Sequence, residues 1–205
     1  MIDERPHQRR VAWIKDSVVG MEFAELDIWP DRLNARVVAI ADDPLPYRLD
    51  YTLETATRFV THVLRLRTEG DGWSRSLALS REASGEWSCE TEADGRADLP
   101  APGGDAAALR GALDCDVAHS PVTNSMPVLR DRLLDAQHTV DYLMAWVSLP
   151  DLAFQPSGQR YVSLPDVATA RIVRFESLDG DFTADLSFDA DGLVIDYPQL
   201  GRRLR

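Results

Sequence analysis

The chain has 205 residues, of which 22 are Lys or Arg and 34 are Asp or Glu, giving a formal net charge of −12. Because a phosphate backbone or an anionic lipid surface attracts positive charge, this balance disfavours nucleic acids and anionic membranes as partners. Hydrophobic residues make up 44% and charged residues 27%, the fractions of an ordinary globular protein, and the length fits one domain spanning residues 1–205.

The sequence shows no pattern typical of a secretory leader, a membrane span or a zinc site. Met1–Arg10 contains no apolar stretch, and the longest nearly unbroken apolar run, Tyr142–Val147, is far shorter than the about 20 residues that cross a bilayer. Cys89 and Cys115 lie in different segments without CxxC spacing, which favours buried, reduced thiols over a metal site. We therefore expect a cytoplasmic protein that binds no metal ion.

Alternation of apolar and polar residues dominates the chain and predicts many short strands. In the segment 181–189, every second residue from Phe182 to Phe188 is apolar, and Asp, Thr and Ser lie between them. This is the pattern of a strand with one buried and one solvated face. In chain order, strands are predicted at residues 10–16, 20–29, 33–41, 47–54, 58–67, 73–81, 86–91, 112–117, 138–148, 159–164, 169–176, 181–189 and 192–197.

Turn signals separate these strands. Asp-Gly pairs recur at residues 71–72, 94–95, 179–180 and 191–192, and Asp-Gly between alternating segments is a strong hairpin signal. No repeat and no break in composition marks a second domain. Many short strands with few helices predict a mainly β fold, a single-domain barrel, sandwich or roll.

Two helical segments interrupt the strands. Asp105–Arg110 begins with a capping residue followed by strong helix formers, but it is short. Thr123–Ala136 is the longer candidate, in which Asn124 or Ser125 caps the helix and Pro127 suits its first turn. The sequence thus predicts one or two short helices beside the strands.

The densest cluster of polar residues spans Asp114–Ser125. On a strand, Asp114 and Asp116 share a face, where two carboxylates can bind a cation or divide acid and base roles. The alternative is a solvated face, or carboxylates that accept hydrogen bonds from the following turn. His119 and Ser120 are adjacent, so their side chains diverge on an extended chain, and a triad needs convergence from separate segments.

Sequence motifs for catalysis and for nucleotide cofactors are missing. The chain contains neither a GxSxG nor an HExxH pattern, and neither a Walker A nor a GxGxxG motif. We expect no cofactor. The five Trp and five Tyr residues lie mostly within strand patterns, where core packing explains them, and the alternative is that they line an apolar cavity.

The segment Leu113–Arg130 resembles the central motif of the bacterial putative glycolipid-binding family. That motif runs approximately D-V-D-L, two variable residues, T-P-F-T-N-T-L-P-I-R-R. The matching positions are Asp114, Asp116, Pro121, Thr123, Asn124, Pro127 and Arg130. Further landmarks agree in order: Tyr47–Leu49, Gly85–Trp87, Ala145–Val147, Leu149–Pro150, Gln159–Tyr161 and Gly192–Pro198.

The resemblance implies a spiral β-roll of many strands that binds a glycolipid or another amphiphilic molecule, without catalytic residues or a cofactor. The family's name itself derives from a structural similarity to bacterial lipoprotein carriers. This chain departs from the motif where Cys115 replaces Val, Val122 replaces Phe and Leu129 replaces the first Arg of a pair. The segment 97–110 looks like an insertion before the motif.

These observations lead to three hypotheses. In the first, the roll holds an apolar or amphiphilic ligand in a cavity or groove, contacted by Asp114, Asp116, His119, Thr123, Asn124 and Arg130. In the second, the protein is an enzyme acting on a sugar or lipid derivative, with Asp114 or Asp116 and His119 as acid and base. In the third, it is a structural or partner-binding protein without a small ligand. Separately, the motif is either a ligand site or an architectural corner between a strand and a helix. The oligomeric state is left open.

Overall fold

The alternating segments form fourteen strands in the residues that the structure, a computed structural model, describes, 5–167 and 170–205. They are β1 (His7–Lys15), β2 (Gly20–Ile28), β3 (Leu33–Ala41), β4 (Tyr47–Thr55), β5 (Thr61–Gly70), β6 (Trp73–Arg81), β7 (Trp87–Gly95), β8 (Asp114–Val117), β9 (Thr139–Val147), β10 (Phe154–Val167), β11 (Ala170–Ser177), β12 (Thr183–Phe188), β13 (Val194–Tyr197) and β14 (Gly201–Arg203). Strands β3 and β6 begin and end at the predicted residues, and buried and more exposed side chains alternate along both.

Several strands differ from the prediction. A 3₁₀ turn at Thr57–Phe59 delays the start of β5 to Thr61. The predicted strand 159–164 is the middle of the longer β10, in which Pro156 and Gly158 pair with β9 although their residue types favour a turn. Strand β14 is missing from the prediction because three residues are too few to show alternation. The predicted strand 169–176 begins at a residue that lies outside the described residues.

All fourteen strands belong to one sheet, in the order β7-β6-β5-β4-β3-β2-β1-β14-β13-β12-β11-β10-β9-β8. Neighbouring strands are antiparallel except β8, which runs parallel to β9. Two series of hairpins, β1–β7 and β9–β14, meet where β1 pairs with β14. The result is the mainly β, roll-like sheet that was predicted, and it does not close into a barrel.

The sheet curls so that β8 reaches back to the start of β5. The Thr61 N–H donates to the carbonyl oxygen of Leu113 at 3.0 Å, and the Cys115 N–H donates to Thr61 Oγ1 at 3.0 Å. Two apolar clusters fill the inner face. The larger includes Trp13, Trp73 and Trp87, which confirms core packing for these rings, and the smaller contains Tyr161 and Phe188.

The helical segments are shorter than predicted. Asp105 caps a 3₁₀ turn at Ala106–Leu109 by accepting a hydrogen bond from the Ala107 N–H at 2.9 Å. The predicted helix 123–136 is instead a 3₁₀ turn, Pro121–Asn124, followed by α1 (Ser125–Arg130). Asn124 precedes α1 without capping it, since its side chain makes no bond to the helix N–H groups.

Three further features of the described residues concern membrane-spanning helices, metal ligands and thiols. Within residues 5–167 and 170–205, no helix has the length and apolarity needed to cross a membrane. In the same ranges, no group of three His, Cys, Asp or Glu side chains comes together that could hold a metal ion. Cys89 and Cys115 are free thiols, of which Cys115 is buried and Cys89 half-buried, and burial raises the pKa of Cys115 to about 12.

Candidate functional site

The segment that resembles the family motif connects β8 to α1 through a sharp corner. At the corner, His119 has a left-handed backbone with φ of 59°, and the Ser120 N–H donates back to the Val117 carbonyl oxygen at 3.1 Å. Asn124, which the sequence allowed to be left-handed, has a helical φ of −68°. The polar side chains that follow the corner, Ser120, Thr123, Asn124 and Ser125, are buried. Buried polar groups generally have partners, and the side chains of Ser120, Thr123 and Asn124 form hydrogen bonds, whereas Ser125 Oγ has no hydrogen-bond partner among the described residues.

Asp114 and Arg130 form a buried ion pair that ties the start of β8 to the end of α1. Arg130 Nη1 lies 2.7 Å from both carboxylate oxygens of Asp114, and the two side chains are 1% and 0% exposed. The Arg130 guanidinium also lies over the ring of Tyr142, 5.0 Å from its centroid. Burial raises the pKa of Asp114 to about 6, and the nearby positive charge of Arg130 opposes this shift.

Asp116 is the last acceptor in a chain of hydrogen bonds. The Asn124 amide donates to the Tyr161 hydroxyl oxygen at 2.9 Å, the Tyr161 hydroxyl donates to Gln159 Oε1 at 3.4 Å, and Gln159 Nε2 donates to Asp116 Oδ2 at 2.7 Å. Thr123 Oγ1 donates to the other oxygen, Oδ1, at 2.9 Å. Burial raises the pKa of Asp116, while the bonds from Gln159 and Thr123 lower it. Successive donors all point toward this carboxylate, and each bond in such a chain polarises the next.

An open pocket of about 530 Å³ lies beside Asp116. This volume is in the range of small-molecule sites. Trp146, Phe175, Phe182 and Tyr197 contribute aromatic rings to its lining, with the rings of Phe175 and Phe182 5.9 Å apart and those of Phe182 and Tyr197 6.3 Å apart. The lining also carries hydrogen-bonding groups, namely Asp116, His119, Ser120, Asn124, Gln155, Ser157 and Gln159, and Trp146 pairs in the sheet with Asp116 and Gln155. We refer to these two sets of side chains as the aromatic wall and the polar wall.

Two buried charged residues lie behind the polar wall. Lys15 Nζ donates to the His119 carbonyl oxygen at 3.0 Å, and Ser120 Oγ donates to Glu22 Oε1 at 2.9 Å. Burial raises the pKa of Glu22 to about 7 and lowers that of Lys15, while the attraction between the two charges opposes both shifts. Burial and the charge of Lys15 lower the pKa of His119, which favours the neutral imidazole near pH 7.

The structure therefore divides the predicted site residues. Asp116, His119 and Asn124 line the pocket, and Thr123 lies behind Asp116. Asp114 and Arg130 are not among the lining residues and bind each other instead. The motif thus forms both an architectural corner and part of a pocket wall.

The sequence left open that Trp and Tyr residues line a cavity, but it identified neither the members of the aromatic wall nor the charged pair behind the polar wall. The aromatic residues come from β9, β11, β13 and the turn before β12, and only their pairing in the sheet brings them together. For Glu22 and Lys15, the alternation of the strands does indicate buried positions. On β1, every second residue from Val11 to Lys15 is buried, so Lys15 stands at a buried position. On β2, Glu22 likewise alternates with outward-facing residues and shares the buried face with Ala24 and Leu26. The outward-facing Met21 and Phe23 are 43% and 44% exposed.

The arrangement offers binding groups rather than an assembled catalytic pair. Asp114, one of the two candidate acids, is bound to Arg130 away from the pocket. Both oxygens of Asp116 accept hydrogen bonds, and His119 Nδ1 lies 3.2 Å from Ser17 Oγ. Within residues 5–167 and 170–205 the pocket also lacks a set of metal ligands.

Comparison with known proteins agrees with the fold. A solved structure of a DUF1089 family protein from Pseudomonas aeruginosa is similar to this chain, with a TM-score of 0.70 and 30% identity over 89% of this chain and 92% of the other. The curated proteins contain no match. A family model described as putative glycolipid-binding matches residues 10–203. The chain therefore belongs to the putative glycolipid-binding family.

Proposed function

We propose that this protein binds an amphiphilic small molecule, with a sugar-like head group in the pocket lined by the aromatic and polar walls. The observation that carries the proposal is the presence of both sets of side chains around one open volume of about 530 Å³. Family membership supports it, because the family description names a glycolipid as the ligand.

The chemistry of the walls fits a ring that has apolar faces and polar edges. Trp146 and Phe182 present flat apolar surfaces, against which the C–H groups of a sugar ring can pack. Amide groups such as those of Asn124 and Gln155 both donate and accept hydrogen bonds, as a hydroxyl group does. Specific small-molecule sites combine aromatic surfaces with a few such convergent polar groups.

An enzyme acting on the same class of molecule is the weaker alternative. Catalysis by Asp114 and His119 requires both groups to reach one substrate, and Asp114 lies outside the pocket, paired with Arg130. The remaining candidates, Asp116 and His119, both line the pocket. Release of octanol from octyl glucoside by the purified protein, lost in Asp116→Asn, is the result that would favour this alternative.

The proposal predicts that octyl β-glucoside, below its critical micelle concentration, raises the melting temperature and binds measurably in isothermal titration calorimetry. Replacing Phe182 with alanine removes one aromatic surface, and we expect the dissociation constant to rise about tenfold, the equivalent of about 1.4 kcal/mol. Phe23→Ala is the matched control, because Phe23 is also a half-exposed ring, 44% against 37% for Phe182, but lies on the outer face of β2.

Two results would contradict the proposal. One is the absence of any heat or thermal shift with octyl glucoside, dodecyl maltoside and similar probes. The other is an equal loss of affinity in the Phe182→Ala and Phe23→Ala variants, which would indicate nonspecific adsorption of the alkyl tail to exposed rings.

A further inference from the structure

The charged side chains that line the pocket are acidic. Its lining residues include two carboxylates, Asp116 and Asp179, and contain no lysine or arginine. The nearest buried cation, Lys15, lies behind the polar wall, where its Nζ donates to the His119 carbonyl oxygen. An anionic head group entering this pocket would thus meet negative charge, and the net charge of −12 reinforces this field.

Asp116, which is half-buried, differs from the two buried carboxylates of this region. Asp114 is paired with Arg130, and Glu22 is stabilised by the charge of Lys15. Among the described residues, Asp116 has hydrogen bonds only from the neutral side chains of Thr123 and Gln159, and it forms no ion pair. A carboxylate held by neutral donors at the wall of a pocket leaves its charge available to a cation in that pocket.

The aromatic wall supplies the second half of a cation site. Trp146, Phe175, Phe182 and Tyr197 border the same volume as Asp116. The negative face of an aromatic ring attracts organic cations, and pockets that combine such rings with a carboxylate recognise ammonium groups. This observation is independent of the charge count, because the rings are neutral.

We propose that the pocket selects amphiphiles whose sugar head group carries a protonated amine, which pairs with the Asp116 carboxylate beside the aromatic wall. This inference rests on the proposed function and names the ligand class of the same site. The amine replaces the missing counter-charge of Asp116, and its attached ring contacts Trp146 and Phe182. A head group bearing a carboxylate, sulfate or phosphate is expected to bind more weakly for the same electrostatic reason.

The test compares four octyl glycosides that share one tail and differ only in the sugar. They are the neutral glucoside, the 2-amino-2-deoxyglucoside, its N-acetylated form and the glucuronide, titrated at pH 7 by calorimetry. We expect the amino sugar to bind at least about tenfold more tightly than the neutral and N-acetylated sugars, and the glucuronide to bind most weakly. The preference is expected to shrink as salt concentration rises.

Asp116→Asn keeps the shape of the side chain and removes its charge. We expect the amino sugar to lose its advantage, so that its dissociation constant comes within about twofold of that of the neutral sugar. Asp185→Asn is the control for net charge, since Asp185 is paired with Arg174 on the surface and does not line the pocket. This control variant is expected to retain the preference.

The outcomes separate this inference from the proposed function. If the amino, neutral and N-acetylated sugars bind the wild type equally, the inference is overturned and the proposed function stands. If none of the four binds, both fail. In the N-acetylated ligand the amine carries no charge, so comparing it with the amino sugar tests the ion pair on the wild-type protein. The test therefore remains decisive even if the Asp116→Asn protein does not fold.

Discussion

Replacing Arg130 with methionine is expected to lower the free energy of unfolding by about 3–5 kcal/mol, the cost of breaking a buried ion pair from one side. The substitution leaves the Asp114 carboxylate, which is 0% exposed, without its cation. It also removes the guanidinium from the ring of Tyr142. Urea denaturation monitored by the fluorescence of the five tryptophans measures the effect.

Arg174→Met is the matched control for this prediction. Arg174 also makes two short bonds to a carboxylate, at 2.7 and 3.0 Å to Asp185, but both side chains are exposed, at 40% and 45%. Exposed pairs contribute little, so the control is expected to leave the urea midpoint nearly unchanged.

A second variant identifies the cause. Adding Asp114→Asn to the Arg130→Met protein removes the stranded charge, and the double variant is expected to be more stable than Arg130→Met alone. Similar losses in the Arg130 and Arg174 variants, or no recovery in the double variant, would show that the buried pair does not carry the stability assigned to it.

The free energy of unfolding is expected to fall as the pH rises from about 5 to about 7. Burial raises the pKa of Glu22 from its ordinary 4.5 to about 7, and that of Asp114 from 3.8 to about 6. Between the unfolded and folded values, the folded chain binds these protons more tightly, so stability is greatest at the acidic end and is lost as each group ionises. One group contributes a slope of at most about 1.4 kcal/mol per pH unit.

Other groups act with the opposite sign. The pKa of His119 is lower in the folded state than its ordinary 6.5, so the folded state releases this proton at a lower pH than the unfolded state does. This contribution therefore raises the free energy of unfolding as the pH rises toward 6.5. Lys15 acts in the same sense at more alkaline pH, below its ordinary 10.5. The clearest measurement is therefore a difference between two proteins, in which the contribution of His119 cancels to first order.

Glu22→Gln is the variant for that difference. It keeps an oxygen for the Ser120 hydroxyl but cannot ionise, so its stability curve is expected to be flatter than the wild-type curve between pH 5 and 7. Glu25→Gln is the control on the same strand, because Glu25 is surface-exposed and bonded to Arg10, and its pKa is lowered rather than raised. Urea titrations at several pH values check this. Parallel curves for the wild type and Glu22→Gln would contradict it.

Much of the sheet could be predicted from the sequence because burial alternates along single strands. The bounds of β3 and β6 follow from that alternation alone. The order of the strands could not be predicted, since the pairing of β1 with β14 and of β8 with β9 depends on contacts between distant segments. The end of α1 at Arg130 was also unpredictable, because helix formers continue to Ala136 while the ion pair fixes the helix end.

The polar residues of the candidate site could be predicted from the sequence, but their position relative to the pocket could not. The family motif identified the polar residues of the corner, but it could not show that Asp116 lies on a pocket and Asp114 does not, because both have the same phase on β8. That difference arises from Arg130 and Gln159, which reach the two carboxylates from different elements. Lys15 and Glu22 were within reach of sequence reasoning, as charged residues at buried positions of alternating strands.

The short pairing of β1 with β14 has a consequence for the chain entropy. It joins segments separated by nearly the whole chain, and closing so long a loop costs about 3 kcal/mol more than closing a tight hairpin. Yet the ladder there holds only three residue pairs. Further hydrogen bonds reinforce it: the Asp16 N–H donates to the Leu200 carbonyl oxygen at 2.9 Å, the Leu204 N–H to the Ala12 carbonyl oxygen at 2.8 Å, and Trp13 Nε1 to the Val194 carbonyl oxygen at 2.9 Å. The seam between the two series of hairpins is therefore held by contacts beyond the ladder itself.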